Sequence, residues 1–452
     1  MNILLLHPTD TLFFRDGRPM SGSLAGHGSA WPLPIVVNAA LHAALHRAAI
    51  NDVHTHRRGR SGVYQEERDR KFGSLASAGP FPVSPAGEWF FPRPADAQEQ
   101  GSTSITLKPT SVVGSSSLPK PLVNAVGSTR RASKDKPEAW WSQSAWEAYL
   151  AGHSLPRSSG DGEEDPNFKV DSDIADAEFT IGIGICPETG TQNGEQFYSA
   201  NNLRLRPHWR MGAVAEALDK VGGEVANRRD LIHTLLPNSG RQTPVIVGGE
   251  QRLCTAMRCP PGRLPLPLAP AVDGTRVKWV LLTPAIFPMI QAGVSKRGTP
   301  RHEHPGGWLP TWICPITGKV LLEIVSEEER KRRRNLNAAG RGYASNPNVC
   351  AHLVAAIVPK PLVVTGYALS NAADPDRPEG GAKPTHLAVP AGAVYYFDAD
   401  SPDDARKLAA ALNWHGNEPD PATISNRRST LMGEKGFGLG VCGTWDFLPE
   451  HA

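Results

Sequence analysis

The sequence contains no C-x-x-C pair. Its six cysteines, Cys186, Cys254, Cys259, Cys314, Cys350 and Cys442, are scattered along 452 residues. That spacing gives no zinc site and no disulfide framework, and it fits a reducing compartment. Excess charge of either sign is also absent: 48 Lys and Arg against 45 Asp and Glu leave +3. A general polyanion-coating role is excluded, whereas a local basic groove balanced by acidic surface elsewhere is not. There is no long hydrophobic run near the N-terminus. The segment Ile3 to Leu6 has about four apolar residues and no basic residues before it, too few for a signal sequence or for the roughly twenty of a membrane span. It is expected to be a buried first strand of a cytoplasmic chain.

Glycine (44) and proline (41) are plentiful, which implies many turns and long loops. Hydrophobic content of 40% and charged content of 21% are globular values. The length exceeds one ordinary core, so two domains with insertions are expected. Helical spacing of apolar residues predicts a helix from Pro34 to Ile50, one from Ser144 to Leu150 and one from Asp403 to Leu412. Strands are expected at residues 79–83, 88–94, 178–185, 203–207, 245–252, 277–284, 354–358, 362–369 and 394–397. The proline-rich stretch 260–270 is the candidate domain boundary. Regular strand–helix alternation is missing, so two α+β domains fit better than a parallel α/β sheet.

The densest signal is Gly433-Glu434-Lys435-Gly436-Phe437-Gly438-Leu439-Gly440-Val441-Cys442-Gly443-Thr444-Trp445, with five glycines in eleven positions. Glycine permits positive φ and close backbone approach, so something must lie against bare backbone there. Lys435, Phe437 and Trp445 suit a charged ligand with flat faces, as a nucleic acid has. The run is neither a P-loop nor a dinucleotide fingerprint: Val441 stands where a glycine is needed, and no Lys-Ser/Thr follows. The plain alternative is a tight hairpin near a sheet edge. Arg15-Asp16-Gly17-Arg18 places two guanidinium groups on one turn, suited to phosphates or to a local ion pair. Arg204 and Arg206 lie two apart in a strand-like run, expected to share a face with Phe197, Tyr198 and Trp209 nearby; a solvated face is the alternative. His54, His56, His302, His304, His42 and His46 lack the carboxylate spacing of a metal site. The charged stretch 326–337 has the Glu-to-Lys/Arg offsets of an exposed helix. No catalytic set emerges, although His27, Tyr198 or Lys435 could act as a base near a 2′-hydroxyl.

Several of these pieces, in their order, resemble one family along about 430 residues. They are the opening Asp10-Thr11-Leu12-Phe13-Phe14-Arg15-Asp16-Gly17-Arg18-Pro19, then Gly79 to Phe81 with Phe91 to Pro94, Ile181 to Ile183 with Tyr198 and Leu203 to Leu205, Gly248 to Glu250 with Arg252, Pro390 to Tyr395, and the terminal glycine run. The chain resembles the third-subunit family of the Cmr complex, the type III-B CRISPR–Cas effector, within the RAMP superfamily. It departs from that family at Thr180, where an Arg is usual, and the basic stretch 54–71 matches none of its motifs. The resemblance implies two ferredoxin-like (RRM-type) domains with long loop and hairpin insertions, spanning 1–265 and 270–452. It implies a non-catalytic subunit that holds the 5′ repeat-derived handle of the crRNA. It also implies docking on the large polymerase/cyclase subunit and on backbone subunits, with target RNA met indirectly, and no cofactor, metal or membrane. The residues expected to bind RNA are Arg15, Arg18, Arg204, Arg206, Arg252, Lys435, Gly436, Phe437, Gly438, Gly440 and Gly443. The alternatives are a metal-independent endoribonuclease that matures crRNA and a protein-only scaffold.

Overall fold

The computed structural model describes residues 1–15, 25–26, 31–48, 75–100, 103–112, 116–129, 137–153, 165–220, 228–237, 241–294, 300–301, 303–324, 348–368 and 379–449. Its principal elements, in chain order, begin with β1 (Asn2–Pro8), α1 (Ile35–Arg47) and β2 (Leu75–Val83). An insertion then carries β3 (Phe90–Pro92), β4 (Trp140–Ser142), α2 (Gln143–Leu150) and the hairpin β5 (Ala175–Ile185) and β6 (Gln192–Leu205). Next come β7 (Arg210–Lys220), β8 (Arg228–Asp230), α3 (Leu231–Leu235), β9 (Gln242–Ile246) and β10 (Leu253–Arg258). The remainder holds β11 (Arg276–Leu281), β12 (Ala351–Ile357), β13 (Val394–Ala399), α4 (Pro402–Leu412) and β14 (Gly440–Thr444). The architecture is α+β, with antiparallel sheets and few helices.

Two sheets organise the chain. In the first, β1 lies between β7 and β10, β2 and β8 flank β7, and β9 is the edge beside β10. In the second the order is β12–β13–β11–β14, antiparallel throughout. Numbering the principal strands 1 to 4 along the chain gives the same spatial order, 4-1-3-2, in both (β10–β1–β7–β2 and β14–β11–β13–β12).

Period-two patterning fixes which face each strand buries. Leu4 and Leu6 of β1, Met211, Ala213 and Ala215 of β7 and Cys254 and Ala256 of β10 pack beneath Val37, Leu41 and Leu45 of α1. In the second sheet, Val277, Trp279 and Leu281 face α4, whose Ala405, Leu408 and Leu412 are buried. That helix is started by Ser401, which accepts a hydrogen bond from the Asp404 N–H at 3.1 Å.

The opposite faces of the two sheets meet across a shared core. Val214 and Ala78 of the first sheet, Val280, Val394, Tyr396 and Val441 of the second, and Trp89, Phe91, Trp141, Trp146 and Tyr149 of the insertion form one cluster. A buried carboxylate sits at this junction. Asp96 accepts from the Tyr149 hydroxyl at 2.5 Å, the Tyr396 hydroxyl at 3.1 Å and the Lys278 ammonium at 3.3 Å. The same ammonium lies 3.7 Å from the centroid of the Tyr149 ring. The connecting stretch 260–270 is pinned rather than loose. The Trp414 indole donates to the Pro267 carbonyl at 2.7 Å, and Leu264 and Leu266 are buried.

The hairpin β5–β6 departs from expectation. Its alternation of apolar residues with glycine predicts a strand packed closely on a neighbour. Instead Phe179, Ile181, Ile183 and Ile185 are exposed on one face.

Candidate nucleic-acid interface

The C-terminal end of β1 gathers three of the candidate arginines from distant parts of the chain. Leu12 exchanges backbone hydrogen bonds with Leu203 at 2.8 and 2.7 Å, which brings Arg204 beside the opening segment. The turn Gly248-Gly249 grips the same segment from the other side. Gly249 N–H donates to the Phe13 carbonyl at 2.9 Å, and a Cβ on Gly248 would lie 2.6 Å from that oxygen. Gly248 has φ +81°, so a side chain is excluded by both conformation and space. The turn continues through Glu250 and Gln251, both at φ 53°, and presents Arg252. Arg15 is exposed beyond Phe14. Arg204 and Arg252 therefore flank one short segment, residues 12–15, which ends in the exposed Arg15.

Two of these arginines, Arg204 and Arg252, are already engaged with carboxylates. Arg204 donates to Glu178 at 2.6 Å and to Asp10 at 2.8 Å, and Arg252 donates to Glu250 at 2.8 Å. The hydrogen bond from Arg204 holds the Asp10 carboxyl below its ordinary value, and Glu178 with Asp10 raises the Arg204 guanidinium. Exposed pairs of this kind contribute little to stability. A phosphate can displace the carboxylates, because these exposed pairs are weak and a phosphate offers the same bidentate, charge-assisted contacts.

Arg206, just past the end of β6, lies on the same side as Arg204: Asp176, which is opposite Arg204 in the register, pairs with Arg206. β6 ends at Leu205, and residues 206–209 form a turn closed by Trp209 N–H to the Arg206 carbonyl at 3.0 Å. Proline at 207 and the left-handed His208 (φ 67°) end the strand beyond Arg206. Arg206 is held by Asp176 at 3.0 Å and by the Ser172 carbonyl at 2.9 Å. Trp209 is buried, so it forms no exposed stacking platform. The side chains of Phe197 and Tyr198 lie outside the described residues, as do Arg18, His27, His54, His56, His302 and the stretch 326–337.

The glycine run has a different use from the one its composition suggests. Its glycines admit the protein's own backbone and rings. A Cβ on Gly438 (φ +77°) would lie 2.0 Å from the Ser429 nitrogen, and one on Gly436 (φ +94°) 2.9 Å from Ala78 Cα. On Gly440 it would lie 2.2 Å from the Trp279 indole nitrogen, and on Gly443 2.8 Å from the Leu150 carbonyl. The N–H groups are also spent internally. Gly436 donates to Gly433, Phe437 to Met432, Gly438 to Pro284 and Leu439 to the Thr283 hydroxyl. Gly440 and Gly443 lie in β14, paired with Leu281 and Lys278. Phe437 is fully buried among Ile286, Val364 and Ala388, with Leu33 and Ile35 against it. The expected anion cradle and aromatic platform at Gly436, Phe437, Gly438, Gly440 and Gly443 is thus a clamp between the two halves. Lys435, half-buried, is the run's remaining basic side chain.

The alternation Arg204, Arg206, His208, Arg210 holds a signal that the sequence reading stopped short of. Its last two members line a separate pocket on the first sheet. Among the described residues, no group of His, Cys, Asp and Glu is arranged to hold a metal ion, and no helix is long and apolar enough to cross a membrane.

Comparison with known proteins places this sequence in a family. No curated protein matches the chain. Among solved structures, it is similar to a chain of the type III-B Cmr-beta bound to cognate target RNA and AMPPnP, at 12% identity, covering 87% of this chain and 86% of that one, with a TM-score of 0.39. A second Cmr-beta structure, bound to cognate target RNA, matches at 13% identity with the same coverage and score. A chain of a Csm1–Csm4 cassette in complex with AMPPNP matches at 12% identity over 72% of this chain and 98% of that one, with a TM-score of 0.24. The sequence matches the model of the CRISPR-associated protein family Cas_Cmr3 over residues 4–445, and the chain belongs to that family.

Proposed function

We propose that the chain is a non-catalytic RNA-binding subunit of a type III-B CRISPR effector, holding the 5′ handle of the crRNA. The observation that carries the reading is the convergence of Arg204 and Arg252 on residues 12–15, the segment that ends in Arg15, in a chain of the Cas_Cmr3 family. Handle phosphates replace the carboxylates on Arg204 and Arg252 and meet Arg15, with Arg206 beside them; Arg18 and Lys435 are further proposed contacts. The shared 4-1-3-2 strand order supports two ferredoxin-like, RRM-type domains of the RAMP kind, over 1–265 and 270–452. Docking on the large polymerase/cyclase subunit and on backbone subunits belongs to the same reading.

The test is reconstitution of the effector with Arg15→Ala combined with Lys435→Glu, followed by RNA recovery on denaturing gels. Loss of crRNA at unchanged protein composition is the expected result, and full RNA content would refute the handle assignment. Incubating the isolated chain with repeat RNA in EDTA separates the enzymatic alternative: a discrete product would make it an endoribonuclease.

A further inference from the structure

The first sheet has a second concave feature, away from the arginine rim. Its face opposite α1 is covered only in part. Ile3, Leu5 and Val214 lie against the shared core, and Trp89 sits over Gly212, where a Cβ would come within 2.6 Å of its ring. Beyond that cover the face opens into a cavity of about 420 Å³. Its walls include His7, His208, Arg210, Gln242, Thr255 and Met257. The register explains the gathering: His7 is opposite Thr255, and Met257 is opposite Gln242. Each projects from the face opposite Leu6, Met211, Cys254 and Ala256, which pack under α1.

The chemistry of this lining is one-sided. It holds one guanidinium, two imidazoles, an amide and a hydroxyl, and no carboxylate. Arg210 is oriented by the carbonyls of Ser84 at 3.2 Å and Pro85 at 3.4 Å, which are neutral acceptors. Among the described residues no acid pairs with it, and its Nε is buried without a hydrogen-bond partner. His7 and His208 are exposed, and neither imidazole has a protein partner among the described residues. His208 is held at φ 67°, a conformation few non-glycine residues adopt. Leu5 and Met257 supply apolar surface beside these donors. A fixed guanidinium with no counter-charge, flanked by imidazoles, suits a phosphate. Apolar surface next to an amide suits a heterocycle with hydrogen-bonding edges.

We propose that this pocket binds a nucleoside phosphate, with the phosphate on Arg210 and the imidazoles and the base against Leu5 and Met257, its edge toward Gln242. The chemistry is shared by one nucleotide of a single RNA strand and by a free nucleotide.

The test is calorimetric titration of the full chain with AMP and UMP, with inorganic phosphate as competitor, repeated with a single-stranded repeat RNA present. Saturable one-site binding weakened at least tenfold by Arg210→Met, and several-fold by His7→Ala with His208→Gly, is expected. The second variant alters exposed side chains only, so its thermal midpoint should match the parent and separate binding from folding. Displacement of the nucleotide by RNA assigns the pocket to a strand; no displacement assigns it to a free nucleotide. Absence of saturable binding, or equal binding by both variants, overturns the proposal. The result is independent of the handle assignment, which is read by RNA retention in the Arg15 and Lys435 variant.

Discussion

One carboxylate, Asp96, joins the insertion to the second sheet through Tyr149, Tyr396 and Lys278. Removing one member of a buried ion pair leaves the other charge uncompensated, at a cost of about 3–5 kcal/mol. Asp96→Ala should therefore lower the urea midpoint sharply. Asp96→Leu with Lys278→Met should recover most of it, because both charges then leave together. A single variant as stable as the parent would remove this junction from the account. The same region governs the response to alkali. Burial pushes the phenols of Tyr149, Tyr395 and Tyr396 up, Cys254 up to about 12 and Cys442 higher still. The folded state keeps these protons where the unfolded chain releases them, at about 8.5 for thiols and 10 for phenols. It binds more protons, so stability falls as pH rises through that range. Lys278, lowered by burial, works in the opposite direction up to its ordinary value and is outnumbered. Urea midpoints at pH 7, 9 and 10.5 should decline in that order; a flat series would contradict the assignment.

At the level of elements, the sequence was most readable where periodicity and burial agree. The first strand, the helix starting near Pro34 and the helix ending at Leu412 all have repeats that match what is buried. In α1 the buried stripe is Val37, Ala40, Leu41, Ala44 and Leu45. The glycine run was visible but misread, because composition shows that backbone approach occurs and not whose backbone arrives. Here it is Ser429, Ala78 and Leu150. The sheet-face pocket was invisible for another reason: it joins His7, Arg210 and Gln242 across strands distant in sequence. Gly438→Ala must meet Ser429 at positive φ and should cost at least about 2 kcal/mol, read as a lower thermal midpoint. By contrast, Ile181→Ser on the exposed hairpin face should change stability by less than about 0.5 kcal/mol. A large loss there would mean that the hairpin packs against the body of the protein.

For the molecule as a whole, the shared core predicts that the two sheets melt together. Trp89, Val214, Val280 and Leu439 belong to one cluster, so neither half buries its inner face alone. Calorimetry should give a single transition, and residues 1–265 expressed separately should aggregate; two separate transitions would refute the coupling.

The position of β14 has a consequence for how the chain is made. Its partner β11 ends at Leu281, and β14 begins at Gly440. While the chain emerges from the ribosome, β11 waits for a neighbour that is synthesised about 160 residues later. At the ordinary pace of about 5–20 residues per second that delay is about ten to thirty seconds. Throughout it, the side of Trp279 that will meet Gly440 stays uncovered. A nascent chain stalled before residue 440 should therefore be a substrate for chaperones, and release of the last strand should end that dependence.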